Sequence, residues 1–282
     1  DSLRYDGVFL ALGYNTAVFN SLHWLFLKKN LINMDGIEWR RKKWGLVAKS
    51  WFWLNEKCGK VFGTELIADH PEIAKHLSSF YCKNKITMIP YGGDIITNGD
   101  VEVLTKMSLD AYQFYVVIAR PEPENSILEI VEAFSRSNSA KKLVVLGTFS
   151  SNNEYHRSIK QFESEQIIFP GAIYEASVIS SLRYYSLAYI HGHQVGGTNP
   201  SLIEGMAAGA PIIAHDNRFN RWVVGDNGLF FSSTQELLSI FEKNCLADER
   251  SRMSKENIER VKAEFDWDNI LSQYEKCIDK FL

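Results

Sequence analysis

Residues 191–215 read HGHQVGGTNPSLIEGMAAGAPIIAH, which sets a glycine loop, a helix start and one carboxylate close together. Gly196 and Gly197 let the backbone approach a ligand and take positive φ. Asn199 is a good helix N-cap, and Pro200 suits the first helical position. A helix starting there presents free N–H groups and the positive end of its dipole, which together suit an anion. Glu204 lies about one turn further on, where its carboxylate can accept hydrogen bonds from paired hydroxyls such as those of a ribose. Phosphate at the helix end and hydroxyls on an acid describe a nucleotide. An ordinary strand–loop–helix turn explains this stretch alone equally well, because glycine loops recur widely. A second charged group stands at another strand end. In ARPEPENSI, Arg120 leaves an apolar run and either reaches a phosphate or is simply solvated.

These residues need a scaffold, and the pattern of the chain predicts one. Strands are expected at 113–119, 142–147, 167–172, 187–192 and 211–216, followed by GLFF (228–231). Helices are expected at 125–137, 153–164, 177–186, 201–209 and 234–248. Nearer the start, strands are expected at Val8–Leu12, 31–36, 60–70 and 86–94. EWRRKKWGLVAKSWFWLNEKCG (38–59) has helical spacing, with Trp44, Val47, Trp51 and Leu54 on one face, and PEIAKHLSSFY is a helix with Pro71 in its first turn. Residues 97–111 read as a polar linker. Strand and helix alternate, so the fold class is α/β, with parallel sheets covered by helices on both faces. Ligands in such sheets sit beyond the carboxyl ends of the strands, here the loops after Met34, Ala119, Leu146, Phe169 and Ile190.

Composition narrows the function classes. The chain has 282 residues, 45% of them hydrophobic, enough for two domains with real cores. Its net charge of -3 argues against a general nucleic-acid binder. Cys58, Cys82, Cys245 and Cys277 form no CxxC pair and read as free thiols. No apolar run approaches the roughly 20 residues of a membrane span. DSLRYDGVFLALGYNT drops at once into a strand, so the chain is expected to begin partway through its first domain. No GxGxxG follows a first strand, which argues against an NAD enzyme, and the clusters a metal site needs are absent from the loops.

Arg120 with PEPEN, FPGAIY (169–174) and HQVGGTNPSLIEGMAAGAPIIAHD together resemble the C-terminal domain of the retaining GT-B glycosyltransferases of the family 4 kind. The resemblance covers nearly the whole chain, because FDWDNILSQYEKC matches the closing helix of that family. It implies two doubly wound Rossmann-like domains facing a cleft: residues 1–97 on the acceptor side and incomplete, 98–265 for the nucleotide sugar, and 266–282 as the closing helix. NMDGIEWRRKKWG, IPYGGD and VGGTNPSLIEGMA as a set are similar to bacterial rhamnosyltransferases. Those enzymes build capsule and cell-wall polysaccharides from dTDP-L-rhamnose.

Residue roles follow from the resemblance. Glu204 matches the second glutamate of the E-x7-E motif, which binds the ribose. The first falls on Gly196, a departure that implies a sugar presented differently, such as a deoxy sugar. Gly197, Thr198 and Asn199 would offer N–H groups to the sugar and diphosphate. Arg120 matches the phosphate-binding arginine. Asn125, on the donor side, replaces its partner lysine, so one positive charge is missing from the clamp. Ile173 and Tyr174 sit where the base packs, with a core tyrosine as the competing reading. Asp35 stands about where the wider family has a histidine. It would orient the acceptor hydroxyl or support the positive charge of the transition state, or else serve as a turn or N-cap aspartate. Glu38 is a weaker candidate of the same kind, and His193 is read as structural.

Arg40, Arg41, Lys42, Lys43 and Lys49 lie among the aromatics of WRRKKWGLVAKSWFW. They suit an anionic membrane surface carrying a lipid-linked acceptor, or the edge of a core helix. The expectation is a cytoplasmic enzyme, peripheral at the inner face of the membrane through residues 39–54. Its partners are a nucleotide-sugar donor and a saccharide acceptor, with no metal and no nucleic acid. The alternatives are a UDP- or GDP-sugar donor, a sugar-nucleotide epimerase, and an inactive sugar-nucleotide-binding protein.

Overall fold

A computed structural model describes residues 6–41, 43–79, 83–243 and 246–282. Lys42, Cys82 and Cys245, each named above, lie outside the described residues. The chain divides into two compact units. One holds residues up to Gly92, Val195–Asn199 and Phe265–Leu282; the other holds Gly93–Gln194 and Pro200–Glu264.

The first unit carries a parallel sheet of strands β1 (Val8–Ala11), β2 (Lys29–Asn33), β3 (Glu65–Ala68) and β4 (Ile86–Met88), in that spatial order. Its helices are α1 (Asn20–Leu25), α2 (Leu46–Phe62) and α3 (Pro71–Ser78). α3 opens where the sequence predicts, on Pro71, with the His70 side chain accepting from the Glu72 N–H. All four residues of β3 are buried, as expected of a strand covered on both faces.

The second unit carries strands β5 (Phe114–Ile118), β6 (Lys142–Leu146), β7 (Ile167–Gly171), β8 (Ala188–His191), β9 (Ile212–His215) and β10 (Gly228–Phe231). They pair in parallel in the order β10-β9-β8-β5-β6-β7. Its helices are α4 (Val101–Lys106), α5 (Ile127–Arg136), α6 (Glu154–Lys160), α7 (Ala176–Tyr185), α8 (Pro200–Ala207), α9 (Arg218–Val224), α10 (Thr234–Lys243) and α11 (Leu246–Glu264). Tyr115, Phe134 and Phe241 meet edge to face in its core. The closing helix α12 (Trp267–Asp279) groups with the first unit. It is capped by Asp266, and its Ile270 and Cys277 pack with Leu31, Ile67 and Ile89.

Several expectations change. Residues 38–40 form a short 3-10 turn, and the long helix begins only at Leu46, after Gly45. It runs on to Phe62, so the strand expected from residue 60 shrinks to β3. The polar stretch 97–111 contains α4, because Asp100 caps it through the Glu102 N–H and Val103 and Leu104 are buried. The helix expected at 234–248 is described as α10 and α11, with residues 244–245 between them outside the described residues. No expectation covered α1, α9 or most of α11.

Candidate functional site

In the second sheet the strand order reverses at β5, with β6 on one side and β8 on the other. Ligands bind outside the carboxyl ends of the strands at such a switch point. Arg120 follows β5, and residues 192–194 follow β8. The two loops are braced together. Ser126 Oγ donates to the Gly192 carbonyl at 2.8 Å, and the Gln194 N–H donates to the Glu124 carbonyl at 2.9 Å. Asn125 is buried, and both ends of its side chain are engaged. Its Nδ2 donates to the Arg120 carbonyl at 2.8 Å, and its Oδ1 meets His193 Nδ1 at 2.6 Å. Asn125 therefore shapes this loop from inside. The Arg120 side chain is 70% exposed, with Glu122 at 3.9 Å.

Glu204 is held by a residue that sequence reasoning missed. Arg183, on α7 and nearly buried, donates through Nη2 to Glu204 Oε2 at 2.7 Å and to Ser201 Oγ at 2.9 Å. Its guanidinium lies 5.6 Å from the centre of the Tyr189 ring. The Glu204 side chain stays 47% exposed, so its carboxylate is aimed but open. Tyr174, just past β7, is 87% exposed and is not the core tyrosine of the competing reading; Ile173 beside it is half-buried. The one visible signal for Arg183 was a lone charge in the otherwise uncharged run SVISSLRYYS.

In the first unit, the register pairs Leu31 with Glu65, Ile32 with Leu66 and Asn33 with Ile67. Continued by two residues, it sets Asp35 opposite Asp69. Burial first, and then the charge of Glu38, push the Asp35 carboxyl up to about 6. Burial, and then the charge of Asp35, push Asp69 up to about 7. Asp35 occupies a turn in which the Gly36 N–H donates to the Met34 carbonyl at 2.8 Å. Glu38 accepts from Arg41 Nη1 at 2.8 Å and from Trp44 Nε1 at 3.1 Å.

The segment 195–199 also belongs to this unit. Gly196 takes a φ of +121°, which favours glycine. A Cβ on Gly197 would overlap the Asp69 carboxylate. Thr198 is buried, and its N–H donates to Asp69 Oδ2 at 2.9 Å while its hydroxyl donates to the Asp69 carbonyl. The Thr198 amide, expected to face a ligand, is thus engaged by Asp69. Asn199 is half-buried beside Pro200. Asp69 was not among the expected residues; its signal was a carboxylate directly after the apolar run LIA.

Of the two alternatives for helix α2, a membrane surface or a core, the face of Val47, Trp51 and Leu54 is open to solvent rather than packed in a core. Asn55, Glu56, Gly59 and Lys60 are buried, whereas Leu46, Val47, Trp51, Trp53 and Leu54 are exposed. Trp44, Leu46, Val47, Trp51 and Phe52 line an open apolar groove. Lys43 stacks over Trp44 at 4.9 Å and Lys57 over Trp53 at 5.5 Å. No helix among the described residues is long and apolar enough to cross a membrane.

A sequence profile described as glycosyl transferases group 1 matches residues 108–260, and one described as a domain of unknown function (DUF1972) matches residues 12–94. No curated protein sequence matches the chain. Many solved structures are similar in fold. Anabaena Alr3699/HepE in complex with UDP-glucose has a TM-score of 0.84 at 14% identity, covering 99% of this chain and 80% of that one. Sucrose-phosphate synthase (tll1590) from Thermosynechococcus elongatus has a TM-score of 0.77 at 17% identity, covering 97% of this chain and 73% of that one. The α,α-trehalose-phosphate synthase (UDP-forming) from Burkholderia vietnamiensis has a TM-score of 0.72 at 9% identity, covering 99% and 74%. At such identities the likeness shows the fold, an α/β arrangement with two Rossmann-like sheets as in GT-B glycosyltransferases.

Proposed function

The chain belongs to the glycosyl transferases group 1 family, and we propose that it moves L-rhamnose from a dTDP carrier onto a saccharide hydroxyl, with retention at the transferred carbon, in the synthesis of a bacterial surface polysaccharide. The observation that carries the donor side is Glu204, aimed by buried Arg183 and half-open to solvent one turn into α8. Ribose hydroxyls donate to that carboxylate. The exposed Tyr174 ring, with Ile173, offers a platform for the base. Exposed Arg120 and the amides at the start of α8 meet the diphosphate charge as the leaving group departs, in place of a metal. Gly196, where the wider family has a sugar-binding acid, supports a deoxy sugar. Asp35 orients the acceptor hydroxyl or stabilises the positive charge that grows on the sugar ring.

The acceptor in this reading is lipid-linked. Its support is the apolar face of α2 with Arg40, Lys43 and Lys49 close by in sequence, a composition that suits an anionic membrane surface. A UDP-sugar donor is the second reading, favoured by the UDP-glucose bound to the structurally similar Anabaena protein.

A donor screen tests the proposal. Release of free nucleotide from dTDP-L-rhamnose, UDP-glucose and GDP-mannose would be followed in the presence of bacterial membranes. Preference for dTDP-L-rhamnose supports the reading, preference for UDP-glucose removes the rhamnose part, and no turnover by well-folded protein removes the transferase activity.

A further inference from the structure

Glu204 has two carboxylate oxygens, and the fold commits one of them. Arg183 Nη2 stands 2.7 Å from Glu204 Oε2. Among the described residues Oε1 takes part in no hydrogen bond or ion pair, and the side chain is 47% exposed, so a ligand can reach it. Arg183 itself is locked. It is buried on α7, and the same Nη2 donates to Ser201 Oγ at 2.9 Å. Ser201 and Glu204 are three positions apart on α8 and so share a face. Ser201 Oγ lies 2.7 Å from Tyr189 Oη, which donates to the Ile118 carbonyl at 3.4 Å. A guanidinium only donates and a carbonyl only accepts, which orients every proton between them. Arg183 donates to Ser201, Ser201 to Tyr189 and Tyr189 to Ile118. The Ser201 hydroxyl proton is therefore spent on Tyr189 and not on Glu204. A Cβ on Gly205 would overlap the Tyr189 ring, so α8 lies directly on that ring, which holds Glu204 in register with Arg183.

We propose that Arg183 makes Glu204 a reader of a single sugar hydroxyl, so that the site takes a 2′-deoxyribonucleotide at least as readily as the matching ribonucleotide. The proposal rests on the reading that Glu204 meets the sugar of a nucleotide. A carboxylate that grips a ribose sets one oxygen against each of two vicinal hydroxyls. Here the ion pair already draws on the charge of Oε2. The buried guanidinium, anchored on Ser201 and beside the Tyr189 ring, does not swing aside. A hydroxyl brought to Oε2 gains little over the water it leaves. A hydroxyl brought to Oε1 gains a charge-assisted bond. A 2′-deoxyribose offers its 3′-hydroxyl to Oε1 and has no second hydroxyl to place. The grip expected of paired hydroxyls thereby narrows to one. Arg183 is a positioning residue, since its buried guanidinium acts on the ligand through that carboxylate.

The test is calorimetric titration of the whole chain with two matched pairs, dTDP against ribothymidine diphosphate and dUDP against UDP. Wild type and Arg183→Met would be compared, with melting temperatures recorded. Within each pair only the 2′-hydroxyl differs, and the ratio of two affinities in one protein does not follow a general loss of stability. In the wild type, neither ribonucleotide should bind more than about fivefold tighter than its deoxy partner, the net gain from one ordinary hydrogen bond. In Arg183→Met both oxygens are free, and the ratio should move toward the ribonucleotide by at least that factor. The proposal is overturned if a ribonucleotide exceeds that limit in the wild type, or if folded Arg183→Met moves the ratio by less. Should Arg183→Met fail to fold, the wild-type ratios decide. A strong ribonucleotide preference would leave the nucleotide reading of Glu204 standing, whereas no nucleotide bound by the wild type would remove both. Tighter binding of the uridine pair, at the expected ratios, would remove the thymidine part of the donor reading and leave this inference standing.

Discussion

Glu204 and Asp69 are carboxylates in opposite circumstances. Glu204 is half-exposed but its partner Arg183 is buried, so Glu204→Ala leaves that guanidinium short of its anion and should lower the melting temperature, whereas Glu204→Gln keeps an acceptor for it and should lower it less. Asp69 and Asp35 are pushed up, to about 7 and about 6, from the ordinary aspartate value of 3.8. The folded chain then holds protons that the unfolded chain gives up, so this contribution is fully present below about pH 4 and is lost as pH rises through about 6 to 7. Melting temperatures measured from pH 5 to pH 8 should therefore decline more steeply in the wild type than in Asp69→Asn; parallel curves would contradict the assignment. At this scale the sequence pointed to Arg120 and Asp35 through their strand-end positions and to Glu204 through its place one turn into a helix. It hid Arg183 and Asp69, because both act through strands and helices brought together only by folding. It also hid how Asn125 and Thr198 are engaged, since a side chain able to meet a ligand can as readily brace its own loop.

Helix α2 shows why element-level reading succeeded in part. Its spacing predicted a helix and its aromatics fitted either a membrane surface or a core, and the buried face carries Glu56 and Lys60 at 2.6 Å, with side chains 2% and 0% exposed. Burial alone would raise the Glu56 carboxyl, but hydrogen bonds from His76, Lys60 and Trp39 hold it down at about 2. Its contribution is present above the ordinary glutamate range and lost as pH falls through about 2. Glu56→Gln leaves Lys60 buried without its anion, so urea unfolding should show a loss of about 3–5 kcal/mol. No pattern of apolar residues reveals a buried ion pair, which is why the sequence left open which face of α2 is buried. The parallel strands were legible because each reads as a short apolar run. Helices α4 and α9 were not, because they are only 6 and 7 residues long and lean on caps from Asp100 and Asn217.

At the scale of the molecule, the alternation of strands and helices carried the fold class, and glycine-rich strand ends carried the family. Donor, acceptor and membrane contact depend on surfaces whose partners leave no periodic mark on the chain. The apolar face of α2 gives one prediction here. The protein should float with vesicles containing phosphatidylglycerol and much less with phosphatidylcholine alone, and Leu46→Glu with Val47→Glu should abolish flotation without lowering the melting temperature. Equal flotation by the double variant would contradict the membrane reading.

The most direct measurement of the central claim is calorimetric titration of the wild type and Glu204→Ala with dTDP, UDP, GDP and ADP. The account predicts that dTDP binds most tightly and that Glu204→Ala, still cooperatively folded at the temperature of the titration, weakens it at least tenfold, about 1.4 kcal/mol. Equal dTDP affinity in the two proteins, or no nucleotide bound by the wild type, would contradict it.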